Sequence, residues 1–162
     1  MPPKAGDAVP DVTLQEGTPG DEVKLKDLFA GKKGILFGVP GAFTPGCSKT
    51  HLPGYVSKTD ALKEAGAEVV ACVTVNDAFV AQAWAESAGA VGKVHVLADP
   101  HLELTKALDV VLDAEGKLGT KRCKRFSAVI VDNTFKAFNV EPDGGGLTCS
   151  LVEPTMAQLK AA

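Results

Sequence analysis

The sequence predicts an α/β fold, a mixed central sheet with helices on both faces. Two observations carry that expectation. Short apolar runs recur at Gly34-Ile35-Leu36-Phe37-Gly38-Val39, at Glu68–Val75 and at Val94-His95-Val96-Leu97-Ala98. Runs of this kind suit strands buried on both faces of a sheet. Between them lie longer segments with helix start and stop signals, and such alternation builds a sheet covered by helices. The chain has 162 residues, enough to close a substantial core, and one domain spanning 1–162 is expected.

The elements follow in order. Residues 1–22 are rich in Pro, Gly and Asp. Val12-Thr13-Leu14 and Val23-Lys24-Leu25 read as an N-terminal hairpin, with Thr18-Pro19-Gly20-Asp21 as its turn. The run at Gly34–Val39 ends at Pro40, and Gly41 to Gly46 form a tight loop. A helix is expected from about Cys47 to Ala65, stopped by Gly66 and kinked or interrupted at Pro53. After the second run, Asn76 or Asp77 caps a helix over about Ala78 to Ala88. The third run stops at Asp99-Pro100, and a short helix covers Leu102 to Leu108. Phe126–Val131, Asp132-Asn133 and Thr134–Val140 then read as strand, turn and strand of a β-hairpin. Glu141 to Gly146 is a Gly-rich loop, and Glu153 to Lys160 a terminal helix.

Composition narrows the classes. Apolar residues make up 45% and charged residues 23%, as in ordinary globular chains. The net charge is −3, and the only basic cluster is Lys121-Arg122-Cys123-Lys124-Arg125. With one Trp, one Tyr and seven Phe, this is no nucleic-acid surface. No apolar stretch reaches the roughly 20 residues that span a bilayer, so no membrane contact is expected. The N-terminus has neither an apolar signal core nor an Arg-rich pattern, and the C-terminus is not a peroxisomal ending. With no targeting segment visible, the expected compartment is cytoplasmic or mitochondrial. The four cysteines, Cys47, Cys72, Cys123 and Cys149, form no C-x-x-C pair. They are read as free thiols rather than as a disulfide framework.

The chemistry concentrates in Pro40-Gly41-Ala42-Phe43-Thr44-Pro45-Gly46-Cys47-Ser48, which joins a buried strand to a helix start. Ligand sites in open α/β sheets favour that edge. Cys47 falls in the first helical turn, where free backbone N–H groups and the positive end of the dipole favour a thiolate. A thiol with a pKa of about 8.5 is only about 3% ionised at pH 7, and mostly ionising it takes roughly 3 to 4 kcal/mol. A helix terminus supplies about 0.3 to 2 kcal/mol. A second positive or hydrogen-bonding group is therefore required, and the Lys121 to Arg125 cluster is the reservoir. Thr44, three residues before Cys47, can reach the sulfur or a substrate oxygen with its hydroxyl.

This segment resembles the active-site motif of the peroxiredoxins, most closely the peroxiredoxin 5 subfamily of atypical two-cysteine enzymes. The similarity continues through Lys49–Tyr55, Thr74–Val80, Lys124-Arg125-Phe126-Ser127 and Asn139–Gly144. It implies a thioredoxin-like fold with an N-terminal hairpin extension. It also implies a thiol peroxidase that reduces hydrogen peroxide, alkyl hydroperoxides and peroxynitrite. By that resemblance Cys47 is the peroxidatic cysteine and Thr44 bonds sulfur and peroxide. Pro40 shields the pocket, and the backbone of Gly46 and Cys47 holds the peroxide oxygens. Arg125 is the activating guanidinium, with Arg122 as the weaker candidate. The sulfenic acid formed on Cys47 is resolved to an intramolecular disulfide, which thioredoxin reduces. Cys149 matches the resolving position of the animal subfamily, and Cys72 that of plant type II relatives. Cys123 has no matching role. The resemblance allows a monomer or a non-covalent homodimer.

Other residues receive plainer readings. His51, four residues after Cys47, is read as a packing or capping histidine, though a Cys47–His51 pair would suit a thiol hydrolase. His95 and His101 have no carboxylate at a metal-ligand spacing, and Gly144-Gly145-Gly146 is not a P-loop. No metal and no other cofactor is expected. Asp77 is a helix cap and Trp84 a core or interface residue. Two alternatives to the peroxidase are a Cys/His thiol hydrolase and a non-catalytic redox sensor of the same fold.

Overall fold

The computed structural model describes residues Met1 to Ala162. Its strands are β1 (Thr13–Glu16), β2 (Thr18–Lys24), β3 (Lys33–Val39), β4 (Val69–Thr74), β5 (His95–Ala98), β6 (Val111–Ala114), β7 (Thr120–Cys123), β8 (Phe126–Val131) and β9 (Thr134–Val140). Its helices are α1 (Leu25–Phe29), α2 (Leu52–Ser57), α3 (Thr59–Glu64), α4 (Ala78–Ser87), α5 (Glu103–Ala107), α6 (Glu115–Leu118) and α7 (Val152–Ala161), with a π-helical turn at Cys47–His51. Seven strands form one sheet in the order β2-β1-β5-β4-β3-β8-β9. The three apolar runs, β5, β4 and β3, are its parallel centre, and antiparallel strands flank them on either side.

Strand alternation splits the core into two layers. On β3, Ile35, Phe37 and Val39 face one layer and Leu36 the other. On β4, Val70 and Cys72 join the first layer, and Val69, Ala71 and Val73 the second. Leu52, Tyr55, Leu62, Trp84 and Leu159 close the first layer from α2, α3, α4 and α7. Leu25, Phe29 and Leu104 close the second from α1 and α5. Gly34 has a structural reason inside its strand. A Cβ there would lie 2.2 Å from the carbonyl oxygen of Val69 on the paired strand.

The N-terminal hairpin turns elsewhere than its residues suggest. Gly17 makes the turn at φ +88, Glu16 pairs with Thr18, and Pro19 and Gly20 lie inside β2. β2 is an edge strand, where a missing N–H faces outward and proline is tolerated. Leu25 opens α1 instead of closing the strand. The long helix after Cys47 is broken into the π-turn, α2 and α3. Pro53 sits in the first turn of α2, where its absent N–H costs no bond. Gly66 closes α3 at φ +109. Asp77 caps α4 by accepting from the Val80 amide at 2.9 Å. In the second hairpin Asp132 and Asn133 both take positive φ, 45° and 61°, as a two-residue hairpin turn requires. The segment β6–α6–β7 had no periodic signal and forms a separate two-stranded sheet beside the site.

Candidate active site

The loop Pro40–Gly46 leaves β3 at the carboxyl end of the parallel strands. Asn76, at the end of β4, anchors it by accepting from the Ala42 amide at 2.9 Å. Phe43 holds φ +62 in this loop, a left-handed conformation that aromatic residues seldom adopt. Cys47 opens the π-turn and is fully buried.

Two groups meet its sulfur. Thr44 Oγ1 lies 3.0 Å from Sγ and 2.7 Å from the Gly41 carbonyl. A hydroxyl carries one proton, so it donates to one of these acceptors at a time. Arg125 Nη2 lies 3.4 Å from Sγ. The same guanidinium donates through Nε to the Gly145 carbonyl at 3.3 Å and through Nη1 to His51 Nδ1 at 3.0 Å. Arg125 is only 3% exposed and pairs with no carboxylate. Gly46 makes room for it, since a Cβ there would sit 2.9 Å from Nη2.

The two arginines of the basic cluster divide the work. Arg122 Nη1 donates to the Pro40 carbonyl at 3.4 Å and packs over Gly41, supporting the loop and not the sulfur. Pro40 and Thr44 line an open cleft of about 580 Å³ whose opposite wall holds Leu112, Ala114 and Leu118 of the β6–α6 segment. Trp84 donates from Nε1 to Ser48 Oγ at 2.9 Å, which places an indole one residue from Cys47.

His51 does more than pack. Its Nδ1 accepts from Arg125, so the ring proton is on Nε2, which donates to the Ser150 carbonyl at 3.1 Å. Neither nitrogen bonds Cys47, which leaves a hydrolase without its base. Burial first, and then the Arg125 charge, push the His51 pKa down to about 3. The ring is thus neutral through the working pH range. Tyr55 reaches the same Ser150 carbonyl at 2.8 Å and stacks on Phe37 with centroids 4.0 Å apart.

A second polar centre was not read from the sequence. The Glu141 carboxylate, buried at the end of β9, accepts from the Thr148 and Ser150 amides at 2.9 Å each and from both hydroxyls. Burial works to raise its pKa, but the Ser150 and Thr148 bonds outweigh it and hold the group at about 2. Cys149 lies between these donors, half-buried, with Sγ 3.6 Å from the Val140 carbonyl. Burial and Glu141 push its thiol up. Cys72 is fully buried on β4 and Cys123 on β7, and burial pushes both thiols well up. All four cysteines are free. His95 Nδ1 pairs with Glu16, 79 positions away, at 3.0 Å.

These shifts set a pH dependence of stability. The folded His51 pKa lies below its unfolded value of about 6.5, so the unfolded state binds the extra proton and stability falls as pH falls from 6.5 towards 3. The loss by pH 5 is about 2 kcal/mol. The bond to Glu16 raises the His95 pKa, with the opposite sign. In Cys47→Ser/His95→Gln protein, urea melts at pH 7.5 and pH 5 are therefore expected to differ by about 2 kcal/mol. Equal stabilities would contradict the burial of a neutral His51.

Comparisons with known proteins agree with this geometry. The family model described as Redoxin matches residues 4–153. Peroxiredoxin-2E-2, chloroplastic, of Oryza sativa subsp. japonica is 44% identical over 162 residues, covering 95% of this chain and 71% of the relative. The crystal structure of peroxiredoxin 5 from Alvinella pompejana superposes with a TM-score of 0.86 at 40% identity, covering 99% of this chain and 100% of that one. Reduced Prx3 from Vibrio vulnificus in complex with hydrogen peroxide superposes with a TM-score of 0.92 at 40% identity, covering 99% and 97%. With a buried cysteine gripped by Thr44 and Arg125 at the end of a thioredoxin-like sheet, and with relatives of this closeness, the chain belongs to the peroxiredoxin family, in its peroxiredoxin 5-like branch, and is a thiol peroxidase.

Proposed function

We propose that Cys47 is the reacting thiolate and that hydrogen peroxide, alkyl hydroperoxides and peroxynitrite are its substrates. One observation carries this reading: the Cys47 sulfur sits against a buried guanidinium that has no carboxylate partner. A buried cation needs a counter-charge, and an anionic sulfur supplies it. The thiolate attacks one peroxide oxygen, an S–O bond forms and the O–O bond breaks. The other oxygen departs with the electron pair and takes up a proton to leave as water or alcohol. Arg125 and Thr44, with the backbone of Gly46 and Cys47, are the donors for the charge moving along S–O–O. Pro40 keeps water from the pocket. The complex of the Vibrio relative with hydrogen peroxide supports the smallest of these substrates.

The Cys47 sulfenic acid is then resolved by Cys149. The S–O bond breaks, the disulfide forms, and the hydroxyl leaves with the Cys149 proton as water. Mobility favours Cys149 over Cys72. Every residue of β4 is buried in mid-sheet, so Cys72 moves only if the sheet opens, whereas Cys149 lies on a loop after Gly144-Gly145-Gly146. A dithiol of the thioredoxin type reduces the product by exchange. The whole of residues 1–162 acts as one domain, as a monomer or a non-covalent homodimer, in the cytoplasm or a mitochondrion. No helix is long and apolar enough to cross a membrane. Peptide mapping after one equivalent of peroxide tests the pairing. A Cys47–Cys149 link, absent from Cys149→Ser protein and retained in Cys72→Ser protein, is expected. A Cys47–Cys72 link would overturn it.

A further inference from the structure

Glu141 follows the last residue of β9, where the chain enters the loop that carries Cys149. Its four bonds all go to Thr148 and Ser150, the two neighbours of Cys149. No lysine or arginine pairs with it, so these loop donors alone hold its charge. The anchoring extends inward. The Ser150 carbonyl takes bonds from His51 and Tyr55, and His51 holds Arg125. Cys149 meanwhile points at the Val140 carbonyl and is not bonded to Cys47. A disulfide requires an S–S distance of about 2.05 Å, so the Cys149 sulfur must leave its seat to react. The chain on either side of it is tethered to Glu141 through Thr148 and Ser150.

We propose that Glu141 is a positioning residue, a latch that keeps the Cys149 loop docked and so sets how fast the Cys47 sulfenic acid becomes a disulfide. The proposal rests on Cys149 being the resolving thiol. A tight latch lengthens the life of the sulfenic acid and leaves it open to a second peroxide, which oxidises it to the sulfinic acid. Loosening the latch speeds resolution and protects the enzyme.

The test uses the full chain, hydrogen peroxide and Trp84 fluorescence in a stopped-flow instrument, separating sulfenic acid formation from disulfide formation. Glu141→Gln keeps one acceptor oxygen but sets an NH₂ group against the loop donors. Its second phase is expected to be about tenfold faster, which corresponds to about 1.4 kcal/mol. Thr148→Val removes one bond from an exposed side chain and so guards against misfolding of the first variant. Its second phase is expected to be about threefold faster with the first phase within about twofold of wild type, a split that a merely structural role would not produce. Both variants should accumulate less Cys47 sulfinic acid under excess peroxide. Loss of the second phase in Cys149→Ser protein, with acceleration in both latch variants, supports the proposal. Loss in Cys149→Ser protein with no acceleration in either latch variant overturns the latch and leaves the resolving role standing. A second phase that persists in Cys149→Ser protein overturns both.

Discussion

Arg125→Met protein is expected to react with hydrogen peroxide about 10²–10³-fold more slowly than wild type, the usual loss when one preorganised donor to a developing charge is removed. Methionine approximates the length of the side chain but brings neither charge nor donors. Arg125 is buried, pairs with no carboxylate, and reaches Sγ, His51 and Gly145 from three different nitrogens. Arg125→Lys should recover only part of the rate, because a single ammonium cannot span the three directions of the fork. The substitution also strands the acceptors on His51 and Gly145, at a stability cost of about 1–3 kcal/mol. A denaturant melt therefore accompanies the kinetics, and the rate is read where the variant is folded. A rate within about threefold of wild type would remove Arg125 from the chemistry.

Thr44→Val protein is expected to lose about 10- to 10²-fold in the same rate, since one hydrogen bond to a charged group is worth about 1.5–3 kcal/mol, and its rate too is read where the variant is folded. The change keeps the shape of the side chain and removes only the hydroxyl. That hydroxyl stands between the Gly41 carbonyl and the Cys47 sulfur, and can turn its proton to whichever carries more negative charge. Thr44→Ser restores the donor and should restore most of the rate. If valine and serine behave alike, the hydroxyl is not used.

What the sequence conveys, and what it withholds, follows from the range of each interaction. The buried strands β3, β4 and β5 are legible because continuous apolar runs have few other homes in a chain of this size. The second hairpin is legible because Asp132-Asn133 is a local turn with residues suited to positive φ. Thr44 and Cys47 share one loop, and their contact is a short-range matter. Arg125 is different. It lies 78 positions from Cys47, and only the family resemblance singled it out of its cluster. β6–α6–β7 was missed because its short strands have mixed polarity and no period. The role of His51 was hidden because its partners, Arg125 and Ser150, are 74 and 99 positions away. Its spacing of four residues from Cys47 was the one available signal, and it pointed towards the sulfur when the ring faces the arginine. Glu141 falls in the Asn139–Gly144 stretch of the resemblance, but nothing there reveals its role, because a carboxylate before a Gly-rich loop looks the same in sequence whether it is solvated or, as here, buried under Thr148 and Ser150.

In the proposed chemistry one sulfur, Cys47, attacks the peroxide, and Cys72, Cys123 and Cys149 do not start the reaction. The most direct measurement mixes reduced wild-type and Cys47→Ser protein with one equivalent of hydrogen peroxide and follows peroxide loss in a stopped-flow instrument. A fast stoichiometric reaction is expected in wild type and, in Cys47→Ser protein with the other three thiols intact, a rate no greater than that of a free thiol. Consumption by Cys47→Ser protein at the wild-type rate would contradict it.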